Sequence, residues 1–134
     1  MELTEKARQV FTADRYATEL TGIVIDHVGN HTASCSLAID DRHRNARGVT
    51  MGGVLFILAD FCAAVAANSD TLEELHWVSL DSNIHFLTPA QGERLTARCT
   101  ALKTGRTTAL YQTIIESPDK STPVAIVETS MIRV

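Results

Sequence analysis

Cysteine is scarce in this 134-residue chain and odd in number: Cys35, Cys62 and Cys99. The three lie in apolar or strand-like contexts with neither Cys-x-x-Cys nor zinc spacing, which argues against a disulfide framework and for buried free thiols in a reducing compartment. Positive charge is not in excess. Twelve Lys and Arg against 16 Asp and Glu leave a net charge of −4, so no basic field supports a nucleic-acid partner and any anion site must be local. No apolar run reaches the roughly 20 residues of a membrane span. The opening stretch MELTEKARQVFTADRYA lacks an apolar signal core, so the expectation is a cytoplasmic protein away from the membrane. Internal repeats and low-complexity linkers are absent as well. With 45% hydrophobic residues, residues 1–134 read as one domain able to bury a real core.

What is present divides into short strand-like segments around one apolar run. Residues 3 to about 12 suit a short polar helix. GIVIDHVGNHTASCSLAIDD reads as strands over 23–28 and 31–39 joined at Gly29-Asn30. A polar loop, DRHRNARGVT, leads to a helix from about Met51 to near Asn68, with Thr50 available as N-cap. HWVSLDSNIHFL, ERLTARCTALKTG, RTTALYQTIIES and PVAIVETSMIRV are rich in β-formers and separated by TPAQG, TGR and SPDKS, which makes four more strands. The expected class is α+β: a curved antiparallel sheet of about six strands around one central helix that is apolar on all sides. One small sheet covers such a helix incompletely, so a homodimer is expected.

Two features of the helix need explaining. Its first turn holds Gly52-Gly53, although glycine costs about 1 kcal/mol relative to alanine inside a helix. Either the free N–H groups at the helix start face a ligand, where they would stabilise an oxyanion, or the helix start packs tightly against a strand. Both readings are open from the residues alone. Asp60 is the one charge among the fourteen positions from Val54 to Ala67. A carboxylate among apolar side chains must be paired, hydrogen-bonded or neutralised, and a general base or a bonded structural Asp both satisfy that. Eight residues separate Gly52 from Asp60, about 12 Å along a helix. One chain's pair is too far apart to touch one atom, so a shared site requires two subunits.

HRNARGVTMGGVLFILADFCAAVAAN followed by VSLDSNIHFLTPAQGERLTA resembles the hotdog-fold acyl-CoA thioesterases of the PaaI-like type, in the thioesterase superfamily. Their pattern is approximately Asn-x-x-Gly-x-x-His-Gly-Gly, then Leu-Ala-Asp, then a Ser-containing strand ending in Phe-Leu-x-Pro-Ala. The resemblance runs from about Leu20 through nearly the whole chain. It implies a hotdog fold, hydrolysis of an acyl-CoA thioester without cofactor or metal, and a homodimer or a dimer of dimers. It implies that Asn45 and the Gly52 N–H hold the thioester carbonyl, that Asp60 of the facing subunit is base or nucleophile, and that Ser79 orients Asp60 or its water. Met51 and Gly53 adjoin the substrate. Met51 departs from the pattern, standing where the family has a histidine and offering only a weak thioether acceptor. That departure motivates the alternative of a non-catalytic acyl-CoA-binding protein. A hydratase or dehydratase would need a catalytic histidine that has no evident place here.

Arginine forks suit the phosphates of coenzyme A, and of Arg42, Arg44, Arg47, Lys103 and Arg106 the preferred candidate is Arg106 in KTGRTTA. His43 or His85 would have to compensate in space for Met51, though each reads more simply as an ordinary loop or strand histidine. His27 and His31 have the i, i+4 spacing of a helical metal pair, but a turn lies between them. Ser79 lacks the Gly-x-Ser-x-Gly elbow of an α/β-hydrolase. Cys62, Trp77 and Phe86 read as core.

Overall fold

The computed structural model describes residues 1–90, 92–118 and 122–134. Gln91 in the TPAQG turn and residues 119–121 in the SPDKS turn lie outside the described residues. The first helix, α1 (Leu3–Phe11), is held at its start by Glu2, whose carboxylate accepts from Thr4 N at 2.9 Å and Glu5 N at 3.2 Å. Its buried face is Thr4, Ala7 and Phe11, a helical spacing. Phe11 meets Phe61 edge-to-face with centroids 5.6 Å apart. A π-helical turn over Tyr16–Thr21, which the sequence pattern does not announce, then leads to Gly22 at φ +93°.

Six strands follow: β1 (Val24–Gly29), β2 (Thr32–Ala38), β3 (Trp77–Phe86), β4 (Arg94–Thr104), β5 (Thr108–Glu116) and β6 (Pro123–Arg133). They form one antiparallel sheet in the order β1-β2-β4-β5-β6-β3. Register breaks leave Asp26, Leu80 and Leu102 as extra residues on β1, β3 and β4. Such bulges bend a strand and raise its twist, which lets the sheet curl. The second helix, α2 (Gly52–Ala67), lies against the sheet. Its Ala59, Ala63, Ala66 and Ala67 are fully buried, and these small side chains let helix and strands approach closely. Leu55, Leu58, Phe61, Cys62 and Val65 fill the space toward Leu37, Leu95, Tyr111, Ile115 and Met131.

The helix boundary differs by one residue from the sequence expectation. Met51, not Thr50, is the N-cap, and its side chain makes no capping bond. Thr50 is instead buried and bridged to Arg44, closing the loop that precedes the helix. Nor is α2 covered on every face within one chain. Met51 and Phe56 are exposed, while Val54, Ile57, Asp60 and Ala64 are half-buried along one strip. Strand β3 is an edge, carrying exposed Val78, Leu80 and Phe86. Among the described residues no helix is long and apolar enough to cross a membrane. All three cysteines are free and buried. Burial pushes the Cys99 thiol up to about 12, and a hydrogen bond with Cys35 together with burial raises Cys62. Neutral thiols of this kind pack and do not attack.

Candidate active site

The entry to α2 is built by a loop that uses up its polar side chains internally. His43 is almost fully buried, with Nδ1 accepting from Asp40 N at 3.0 Å and Nε2 donating to Thr21 O at 2.7 Å. The backbone donor fixes Nδ1 as acceptor, so the proton sits on Nε2. The His43 carbonyl also accepts from Met51 N at 2.8 Å. His43 therefore ties the π-helical turn, the Asp40 cap and the start of α2 together. Both ring nitrogens are engaged, so it does not stand in for the histidine that Met51 replaces. His85 is on β3 and exposed. Asn45 Oδ1 accepts from Arg47 N at 2.9 Å and Val49 N at 3.3 Å, an Asx turn that shapes the loop. That leaves its amide NH2 as the group able to reach a ligand.

At the helix start the two glycines differ. A Cβ added at Gly52 would meet Cε1 and Cζ of Phe86 at 3.0 and 3.1 Å, whereas one added at Gly53 would meet nothing within 4 Å. Close packing against Phe86 thus explains Gly52, and no packing contact explains Gly53. Neither N–H donates to a protein acceptor among the described residues, as expected for the first turn of a helix. Gly52 lines a cavity of about 360 Å³ with Val49, Thr50, Leu55, Phe86 and Leu87. Met51 is 54% exposed beside it in the chain and lines a neighbouring cavity with Gly53 and Ile57.

Asp60 belongs to a different cavity, also about 360 Å³, shared with Asp14, Tyr16, Ile57, Phe61 and Ala64. Ser79 Oγ on β3 donates to Asp60 Oδ1 at 3.0 Å, which supplies the hydrogen bond that a carboxylate in an apolar helix requires. Burial and the charge of Asp60 hold the Asp14 carboxyl above its ordinary value. One chain therefore brings Asp60 and Ser79 together, while Gly52, beside the Asn45 loop, lines a separate cavity. Asp14 and Phe86 were not legible as site residues. The TADRYA segment matches no motif, and Phe86 reads as core until its contact with Gly52 is seen.

Arg106 lines a fourth cavity, about 540 Å³, with Arg133, His31, Trp77 and Tyr111. Among the described residues neither arginine is in an ion pair. Arg133 lies over the Trp77 ring at 5.9 Å. Arg42 is tied to Asp40 by side-chain bonds of 3.0 to 3.2 Å, and Arg44 lies 3.4 Å from Asp41. His31 sits in the β1–β2 turn at φ +56°, with Nδ1 2.9 Å from the Tyr111 hydroxyl.

The thioesterase superfamily, by its family model, matches residues 47–124. The chain belongs to that superfamily. The matched span takes in Gly52, Asp60, Ser79 and Arg106 and begins two residues after Asn45. This thioesterase is 30% identical over 98 residues to a Haemophilus influenzae protein named "Putative esterase", covering 73% of this chain and 71% of that one. A Deinococcus radiodurans protein of the same name is 28% identical over 109 residues, 81% of this chain and 72% of that one. Among solved structures, the E. coli PaaI protein from the phenylacetic acid degradation operon superposes with a TM-score of 0.83 at 26% identity, covering 99% of this chain and 96% of that one. A Haemophilus influenzae thioesterase superposes at 0.86 and 24% identity over 100% of this chain and 92% of that one. The fold is the hotdog fold, as the sequence resemblance implies.

Proposed function

We propose that this thioesterase hydrolyses an acyl-CoA thioester to the free acid and CoA in a homodimer, each site pairing Gly52 of one subunit with the partner subunit's Asp60. The observation that carries this is the separation of the two half-sites. Free N–H donors at the start of α2 and a hydrogen-bonded carboxylate two turns further on line different cavities of one chain. A second copy is the simplest way to bring them to one carbonyl. The exposed apolar edge of β3 and the half-covered strip of α2 are the surfaces such a copy would bury.

In that site the Gly52 N–H, at the positive end of a sixteen-residue helix, receives the charge that develops on the thioester oxygen. The Asn45 amide NH2 is the second donor. Asp60 either removes a proton from water or attacks the carbonyl directly, and Ser79 holds its carboxylate in one orientation. Collapse of the tetrahedral adduct expels the CoA thiolate and leaves the free acid in the first route, or in the second an acyl–Asp60 anhydride that water then hydrolyses to the acid and the free carboxylate. Arg106 and its neighbour Arg133, both without ion pairs among the described residues, offer guanidinium groups to the phosphates of CoA.

The test is Asp60→Asn assayed on a panel of acyl-CoAs by release of free thiol. Asn keeps the shape and can still bond Ser79, but it is neither base nor nucleophile. The expected result is a folded protein of unchanged size whose kcat falls roughly a hundred- to ten-thousandfold. A variant with wild-type kcat refutes the role of Asp60.

A further inference from the structure

We propose that the cavity at the start of α2 is the acyl pocket, shaped for a compact, uncharged acyl group, and that Phe86 is the side chain that limits acyl size. The inference rests on the reading that the thioester carbonyl is held at Gly52. The cavity encloses about 360 Å³, and none of the side chains lining it is charged. That volume lies at the small end of ligand pockets. Its walls are mostly apolar, from Val49, Leu55, Phe86, Leu87 and Pro89.

The polar contacts sit where the chain enters the helix. One is the Gly52 N–H, which has no protein acceptor among the described residues. The other is Thr50, which lines the cavity beside it. A thioester carbonyl held there places the acyl chain against walls that are mostly apolar, with Thr88 the polar side chain among them.

Phe86 is the side chain nearest the carbonyl site. A Cβ at Gly52 would sit 3.0 Å from its ring, and both residues line the same cavity, so an acyl group held at Gly52 meets the ring as one wall. Phe86 is also 58% exposed. Truncating it therefore enlarges the pocket with little loss of the chain's own core, and because β3 is also the edge that the second copy would bury, dimerisation of each variant is checked by ultracentrifugation. An acyl group ending in a carboxylate is rejected for a separate reason: it would lose its water in a cavity whose described lining offers no cation.

The experiment measures kcat/KM for butyryl-, hexanoyl-, decanoyl- and succinyl-CoA with wild type, Phe86→Ala and Phe86→Leu, and records circular dichroism to confirm that the variants fold. Wild type is expected to use succinyl-CoA roughly a hundredfold less well than butyryl-CoA. Phe86→Ala is expected to raise the decanoyl-to-butyryl ratio about tenfold, and Phe86→Leu to move it less in the same direction. An unchanged ratio in both folded variants overturns the proposal, as does equal use of succinyl- and butyryl-CoA. Asp60→Asn is run on the same panel. Loss of activity there with no change of preference in the Phe86 variants removes the pocket and leaves the Asp60 chemistry, whereas an active Asp60→Asn removes the Asp60 chemistry and leaves the pocket to the Phe86 ratios.

Discussion

Met51 caps α2 with its backbone alone, and its exposed thioether makes no capping hydrogen bond among the described residues. Replacing it with histidine adds a donor and acceptor beside the carbonyl site while the Gly52 N–H stays in place. A neutral hydrogen bond is worth about 1 kcal/mol, or about fivefold in rate. Met51→His is therefore expected to leave thioester hydrolysis unchanged or raise it by about that factor, measured as kcat/KM. A large loss would reveal a positive role for the thioether. Asp14 makes a different residue-level prediction. Burial and the neighbouring Asp60 charge raise its carboxyl above the ordinary 3.8, so across the interval between that value and the raised one the folded state binds more protons than the unfolded state. Stability contributed at this position is then full below 3.8 and is lost as pH rises through the folded value. Asp14→Asn should melt higher than wild type near neutral pH, with the difference vanishing in acid. A melting difference that is constant with pH contradicts this origin.

The elements were largely legible in the sequence because their signals are local. Alternation in the last four strand segments, the turn at Gly29-Asn30 and the apolar run of α2, broken only by Asp60, each depend on residues close together in the chain. Less legible was whatever depends on a distant partner. The π-helical turn over Tyr16–Thr21 is held from outside by the His43 ring, 22 residues beyond Thr21. Gly52 left two readings open, and only the Phe86 ring, delivered by β3, shows that a side chain there would press on a neighbour. The Asp60–Ser79 pair was foreseen through resemblance to a family, not through spacing, since nineteen residues of helix, turn and strand separate them. The same dependence makes the helix entry testable. His43→Ala removes the acceptor for Asp40 N and the donor for Thr21 O in a buried setting, with an expected cost of about 1–3 kcal/mol in urea unfolding. Activity should fall as well, because the loop that carries Asn45 and leads to Gly52 loses its anchor. An unchanged unfolding midpoint would mean that the loop is held by its backbone bonds alone.

At the scale of the whole molecule, the division of the site makes a prediction that no single-chain arrangement shares. Asp60→Asn removes the carboxylate. A bulky residue at Gly52 blocks the carbonyl site, because any Cβ there already presses on Phe86 at 3.0–3.1 Å. Each variant alone should be folded and inactive. Suppose they are combined in one dimer and each site draws Gly52 from one subunit and Asp60 from the other. One site then receives the intact Gly52 of the Asp60→Asn chain and the intact Asp60 of the blocked chain, and the second receives both defects. The mixed dimer, purified with two different tags, should recover about half the wild-type kcat per dimer with a wild-type KM. If both groups instead acted within one chain, every chain in the mixed dimer would carry a defect and no activity would return. Separate ultracentrifugation of the wild type at micromolar concentration should show a dimer or larger species. A stable monomer that turns over acyl-CoA would remove the second subunit from the mechanism and place the reaction in the Asp60 cavity alone, where Asp14, Tyr16 and Ser79 would be the groups left to hold the substrate.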